Sequence, residues 1–385
     1  MTQSRYSAAA AANEPIYVAS PLLPDIDAYR DQLVDIWATK QLTNGGQKSV
    51  NLEQALKEYL GIQSLALLSN GTIALMVACR ALKLTGEFIT TPFTFIATVH
   101  ALAWCGLKPV FVDIDPVAMT IDPERIEAAV TPQTSAIVGV HVYGNRCAVD
   151  EIDAIAKRHK LKVIYDAAHA FGTRYRGRSI ADFGDVSTYS FHSTKLFHTG
   201  EGGAVATRHK DLDAAARSLR NFGIASEESI PGTGINAKMS ELQAGMGLAV
   251  LPLVDDEKVK RRSIFQRYND AFNAIPGITT PPLGDLGEDS FQYYCLRVVS
   301  AAGTPTRDEL YQRLKTANVF SRRYFWPLCS DTEEYKHLDS ADPARLPNAH
   351  RAAREVLCLP LYGTLKDEDV SRIINALREA CGVAS

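Results

Sequence analysis

The sequence predicts an α/β protein: a parallel, mainly right-handed wound sheet with helices on both faces, followed by a smaller α+β unit. Two observations carry this. From Ser64 to Thr207 strand-like runs are separated by single helix-like runs, the order in which parallel strands are joined by crossovers. From Asn236 the pattern changes to long helical periodicity, then to a shorter mixed set of elements. A chain of 385 residues has room for such a division. It is drawn as a tail over 1–15, a large unit over 16–254 and a small C-terminal unit over 255–385.

Leu23 to Ala38 has apolar residues at helical spacing, and Thr43-Asn44-Gly45-Gly46 is a turn after it. A second short helix spans Leu52 to Leu60 and stops at Gly61. Ser64 to Ser69 is a buried strand by composition and runs into Asn70-Gly71-Thr72 and the helical ALMVACRAL. Strand, glycine turn and helix together bind anions, because free N–H groups and the helix dipole face the turn. The alternation continues with strand Glu87 to Thr91, helix Ile96 to Cys105, strand Pro109 to Val112 and helix Pro123 to Val130. Strand Ser135 to Val142, helix Asp150 to His159 and strand Lys162 to Tyr165 follow. Asp185 to Phe191 and Gly203 to Thr207 add two strands, adjacent in sequence and read as antiparallel, which brings the sheet to seven. Lys238 to Leu253 and Asp255 to Asn273 read as one or two long helices before Pro276. The strand Gln292 to Val299 and helices Thr306 to Ala317 and Lys366 to Ala380 complete the smaller unit.

Composition excludes several function classes. Hydrophobic residues at 46% and charged residues at 22% are globular proportions, and a net charge of -3 offers nothing to nucleic acid or an anionic membrane. Partners are expected to be small molecules or protein. Seven scattered cysteines without a CxxC pair suggest neither a disulfide framework nor a zinc site, so no metal is expected and the compartment reads as reducing and cytoplasmic. Met1 to Glu14 lacks the apolar core of a signal peptide and reads as a disordered tail. No apolar run approaches the ~20 residues of a membrane span.

The chemistry centres on STYSFHSTKLFHTGEGGAV, which sets Lys195 between a strand and the glycines Gly200, Gly202 and Gly203. A lysine becomes a nucleophile towards carbonyls when desolvation or a nearby cation lowers its pKa. Asp166 ends the apolar run Val163-Ile164-Tyr165, and a buried acid there calls for a cationic partner. A protonated pyridine nitrogen is such a partner, the pairing that makes pyridoxal phosphate an electron sink. His169 can reach the same ligand, or the pair is an N-cap aspartate with a surface histidine. Gly71 and Thr72 can offer N–H groups and a hydroxyl to a phosphate, or are only a helix start. Phe95 is either core or a stacking face for a flat ring.

These residues lie in motifs that resemble, in order, the DegT/DnrJ/EryC1/StrS family of pyridoxal-phosphate sugar aminotransferases. The motifs are NGT, TPFTFIAT, FVDID, HVYGN, YDAAHAFG, SFHSTKLFHTGEGGA and GINAKMSELQA, and the likeness runs from about Ile16 to the last helix. The resemblance implies the fold-type-I, aspartate-aminotransferase-like architecture, with a mixed, mainly parallel sheet. It implies that Lys195 is the Schiff-base lysine and the proton shuttle, that Asp166 pairs with the pyridine nitrogen and that Phe95 stacks on the ring. His169 would sit near the cofactor's phenolic oxygen, and Gly71, Thr72 and Ser190 would hold the phosphate. Asn236 matches an asparagine that the family sends to the neighbouring subunit's phosphate, so a homodimer with shared sites is implied. Relatives with histidine at the lysine position are dehydratases; Lys195 points to transamination instead. Arg146 stands where relatives often have proline and receives no role.

Within the family the likeness is greatest to enzymes making dTDP-4-amino-4,6-dideoxyglucose. It implies L-glutamate as donor and dTDP-4-keto-6-deoxy-D-glucose, aminated at C4, as the nucleotide-sugar acceptor. A 3-keto sugar, or a dehydratase or lyase reaction on the same scaffold, is the alternative. A non-catalytic ligand-binding regulator would have no need of Lys195, Asp166 and Asn236 together. A nucleotide diphosphate needs cations, for which Lys238, Arg322 and Arg323 are candidates, and Tyr324, Phe325 and Trp326 can pack against base or sugar; the cations are as readily surface residues and the aromatics more commonly core.

Overall fold

The computed structural model describes residues 14–299 and 304–383. Residues 1–13 of the predicted tail lie outside the described residues. The chain opens with β1 (Ile16–Tyr17), α1 (Ile26–Thr39) and α2 (Gln47–Leu60). Strict alternation follows: β2 (Leu65–Leu68), α3 (Gly71–Ala81), β3 (Glu87–Thr90), α4 (Ile96–Trp104), β4 (Lys108–Phe111), α5 (Pro123–Ala128), β5 (Thr134–Val140), α6 (Val149–His159) and β6 (Lys162–Asp166). A hairpin of β7 (Arg174–Tyr175) and β8 (Arg178–Ser179) leads to β9 (Val186–Ser190), β10 (Gly203–Ala206) and α7 (Lys210–Leu219). Next come α8 (Glu241–Val250), α9 (Val254–Phe272), β11 (Ile278–Thr279), β12 (Tyr294–Val298) and α10 (Arg307–Thr316). The chain ends with β13 (Val319–Phe320), α11 (Pro347–Glu355), β14 (Val356–Leu359) and α12 (Asp367–Ala380).

Seven strands form the main sheet in the order β2-β10-β9-β6-β5-β3-β4. Neighbours pair in parallel except β10, which is antiparallel to both β2 and β9. Side chains alternate between two buried faces, as the period of a strand requires. Ala66, Leu68, Phe88, Val138 and Ile164 enter one core, whereas Leu65, Leu67, Ile89, Ile137, Val163 and Tyr165 enter the other. A third core belongs to the three-stranded sheet β11-β12-β14 and its helices, with Tyr268, Phe272, Tyr294, Leu310, Leu314, Ile373 and Leu377 inside. β1 runs parallel to β13 and Ile16 joins that third core, so the segment from residue 16 begins against the C-terminal elements.

The sequence-based elements recur with boundaries set by caps. α1 starts at Ile26 rather than Leu23 because Pro24 precedes it and the Asp25 side chain accepts from Asp27 N–H. The helix expected from Lys238 begins at Glu241, behind a capping box of Ser240 and Gln243. It passes through the turn Leu251–Leu253 into α9. The helix expected from Leu52 begins five residues earlier, at Gln47. There the Glu241 carboxylate accepts from the Lys48 and Ser49 N–H groups at 2.7 and 3.2 Å. The two-residue strands β1, β7, β8, β11 and β13, together with α7, α11 and β14, were not anticipated. α7 is a largely charged and alanine-rich helix with only Ala216 fully buried, and the four-residue run of β14 is too short for periodicity to classify. Among the described residues no helix is long and apolar enough to cross a membrane.

Candidate active site

The loops that follow β2, β3, β6 and β9 meet at the C-terminal edge of the sheet, the place where open α/β sheets bind ligands. They line a cavity of about 570 Å³ that contains Gly71, Thr72, Phe95, Asp166, His169, Ser190 and Lys195. Its size suits a cofactor with part of a substrate.

Asp166 is the last residue of β6 and is buried. Thr98, in the first turn of α4, donates its hydroxyl to Asp166 Oδ2 at 2.8 Å, and the Ala168 N–H donates to Oδ1 at 3.0 Å. Thr94 lies 2.9 Å from Thr98, and because Thr98 donates to the carboxylate, Thr94 is the donor to Thr98. Burial nonetheless pushes the Asp166 carboxyl up, although Thr98, Ala168 and Lys195 pull it back. A carboxylate so placed is short of positive charge.

Lys195 sits on a tight turn closed by its own N–H to the His192 carbonyl at 2.8 Å. Removal from bulk water brings its ammonium from 10.5 down to about 8, against the pull of Asp166. That raises the neutral fraction near pH 7 far above a free lysine's, the direction a Schiff-base lysine needs. Its Nζ lies 6.0 Å from the ring centroid of Tyr293.

An aromatic wall completes the pocket. His169 stacks on Phe325 with centroids 5.8 Å apart and meets Tyr293 edge-on at 5.1 Å. Its Nδ1 accepts from the Tyr143 N–H at 3.3 Å, which places any ring proton on Nε2. Burial, aided by Lys195, holds the imidazole well below its ordinary value, so it is neutral. Phe95 is 57% exposed and faces the cavity instead of joining the core. A flat, solvent-facing ring at the entrance to α4 is a stacking surface.

The remaining predicted residues are placed differently. Asn236 is exposed, bridges Asn221 through the backbone and does not line the Lys195 cavity of its own chain. Lys238 lies in a separate depression beside Arg217, Arg220 and Asn221, bonded to Asn221 at 3.0 Å. Arg323 is engaged by Asp308 at 2.9 Å and lies over the rings of Trp326 and Tyr311. Arg322 is exposed and pairs by its backbone with Cys358. Tyr324 does reach the cavity, and its carbonyl accepts the Tyr143 hydroxyl. Arg146, which received no role, clamps Glu288 at 3.1 Å and the Arg174 carbonyl at 2.9 Å.

Phe325, expected with Tyr324 to pack against base or sugar, lines the cavity, whereas sequence reasoning missed Thr98, His192, Glu201 and Tyr293 as cavity residues. Thr98, His192 and Glu201 stand inside motifs already singled out, so their position was the available signal. Tyr293 comes from a distant segment, and nothing local marks it.

The residues present fit pyridoxal phosphate. α3 begins at Gly71, and the Asn70 side chain accepts from Ile73 N–H, leaving the first N–H groups directed at the cavity. A Cβ on Gly71 would stand 2.7 Å from the Ser190 Cβ, so only glycine leaves this cradle open. A phosphate suits the cradle, a flat ring suits Phe95, and a cationic ring nitrogen would reverse the upward push on Asp166.

Comparison with known proteins agrees. The chain matches the model of the DegT/DnrJ/EryC1/StrS aminotransferase family over residues 25–378. It is 42% identical over 366 residues to the dTDP-4-amino-4,6-dideoxy-D-glucose transaminase of Shigella dysenteriae, covering 95% of this chain and 99% of the relative. DesI, crystallised in the presence of its TDP-sugar product, superposes with a TM-score of 0.90 at 36% identity, over 95% of this chain and 94% of that one. NtdA of Bacillus subtilis with bound cofactor PMP superposes with a TM-score of 0.84 at 26% identity, over 98% and 90%. Sequence, architecture and pocket chemistry converge: the chain belongs to the DegT/DnrJ/EryC1/StrS aminotransferase family, and its cofactor is pyridoxal 5′-phosphate.

Proposed function

We propose that this aminotransferase moves the amino group of L-glutamate to C4 of dTDP-4-keto-6-deoxy-D-glucose. The carrying observation is the pairing of Lys195, its ammonium lowered to about 8, with an Asp166 that lacks a direct cationic partner in one cavity. The sugar is supported by the 42% identity to the dTDP-4-amino-4,6-dideoxy-D-glucose transaminase. When bound, pyridoxal phosphate supplies an electron-withdrawing ring that stabilises negative charge at the carbon losing its proton. The Gly71 and Thr72 amides and the Ser190 hydroxyl would hold its phosphate, Phe95 would cover a ring face, and Asp166 would keep the ring nitrogen protonated. Neutral His169 would stand near the ring's oxygen. Lys195 Nζ is the atom that removes and returns the proton in both halves of the reaction.

The same proposal includes a homodimer in which Asn236 serves the neighbouring subunit's phosphate site, a cytoplasmic setting and a division of the chain near residue 255. Exposure of Asn236 and its absence from its own cavity support the first of these. The test is the absorbance spectrum of the holoenzyme before and after L-glutamate, then after dTDP-4-keto-6-deoxy-D-glucose. Conversion to the pyridoxamine form by glutamate and recovery with the sugar is the expected result. Conversion without recovery rejects the sugar, and no response to glutamate rejects the donor.

A further inference from the structure

The backbone on both sides of Lys195 is gripped by one side chain from the C-terminal half of the chain. Gln292 lies two residues before β12 and is buried at 3% exposure. Its Oε1 accepts the N–H of Leu196 at 2.8 Å, and its Nε2 donates to the carbonyl of Thr194 at 3.0 Å. The two contacts bracket Lys195. An amide alone among common side chains of that length offers one acceptor and one donor in a fixed plane.

The neighbours of Gln292 reach the same site. Ser290 donates its hydroxyl to the His169 carbonyl at 2.7 Å, and Tyr293 places its ring against both Lys195 and His169. The segment 290–293 therefore touches the loops after β6 and β9 at once. From the other side, among the described residues, the Lys195 turn is held by short-range bonds. The His192 carbonyl accepts from Lys195 N–H, and the His192 ring meets Thr194.

We propose that Gln292 is a positioning residue for Lys195: its carboxamide fixes the peptide groups flanking the lysine, and thereby where Nζ stands relative to Asp166 and the cavity. The inference rests on the reading of Lys195 as the reacting lysine. Losing the grip leaves a buried N–H and a buried C=O unpaired and frees the turn. Small displacements of a reacting group lower rate steeply, by up to about a hundredfold for 1 Å.

The test compares Gln292→Met, which keeps length and loses both bonds, with Gln292→Glu, which keeps the acceptor and loses the donor. For each, the holoenzyme's kcat and KM, the pH midpoint of its visible absorbance and its melting temperature are measured, with Lys195→Ala as control. Gln292→Met should lose roughly 10- to 100-fold in kcat with KM for the donor within about twofold, and its absorbance midpoint should move. Gln292→Glu should also lose kcat, and it carries the test if the Met variant does not fold. Unchanged kcat and midpoint in a folded variant overturn the inference, as does a kcat loss that only follows melting temperature with the midpoint fixed. Turnover by Lys195→Ala would instead overturn the underlying reading, so the two failures are distinguishable.

Discussion

Two clefts in this molecule are lined by cations, and they use them in opposite ways. In the depression of about 420 Å³ beside Lys238, Arg220 pairs with Glu53 at 2.8 Å and also bonds the Leu67 carbonyl at 2.7 Å. Arg217 binds the other Glu53 oxygen at 2.8 Å and Asp213 at 2.9 Å. Burial pushes the Glu53 carboxyl up, but Arg220 and Arg217 outweigh it and the group ends below its ordinary value. In the Lys195 cavity the balance is reversed. Burial of Asp166 outweighs Thr98, Ala168 and a Lys195 that acts only through space, so the carboxyl ends above its ordinary value. In the first cleft Glu53 and its two arginines satisfy one another; the second has left a carboxylate and an amine in need of a ligand.

The contrast can be broken by substitution. Lys195→Ala should abolish turnover, measured by loss of glutamate-dependent conversion of the cofactor, while the cavity still takes up pyridoxal phosphate; appreciable transamination would remove Lys195 from the reaction. Asp166→Asn should lower kcat by about a hundredfold or more, because it replaces the carboxylate with a group unable to hold a proton on the ring nitrogen. Near-normal kcat would dissociate Asp166 from that role. Arg220→Met leaves Glu53 with Arg217 alone and should cost about 1–3 kcal/mol by urea unfolding, with cofactor uptake per folded chain unchanged. Loss of cofactor affinity there would erase the distinction between the clefts.

A further prediction concerns pH. Lys195 has a folded-state value of about 8, below the 10.5 of the free side chain. Between those values the unfolded chain holds the proton and the folded chain does not, so the cofactor-free protein should gain stability as pH rises through this window. Urea midpoints at several pH values should show the gain, and Lys195→Met should flatten it. A fall with pH that Lys195→Met removes would show that the lysine is not desolvated.

Most of the chemistry was legible because of topology. In a parallel sheet every βα turn opens on the same edge, so Gly71, Phe95, Asp166 and Lys195, each at or shortly after the end of a strand, converge without any long-range information. What local pattern could not supply was a partner's identity. Thr98 meets Asp166 across 68 residues, Gln292 meets Leu196 across 96, and Glu241 caps α2 across 193. Within its own chain Lys238 stays outside the Lys195 cavity for the same reason: its positive charge was visible, but not the Asn221 that holds it in the neighbouring depression.

By itself the sequence determined which groups can react and on which edge of the sheet they gather, since strand period and βα order are local properties. Only the tertiary structure decided their states. Desolvation and through-space charge depend on what the rest of the chain packs around a group. That packing lowers Lys195, raises Asp166, lowers Glu53 and places Gln292 on both sides of the lysine.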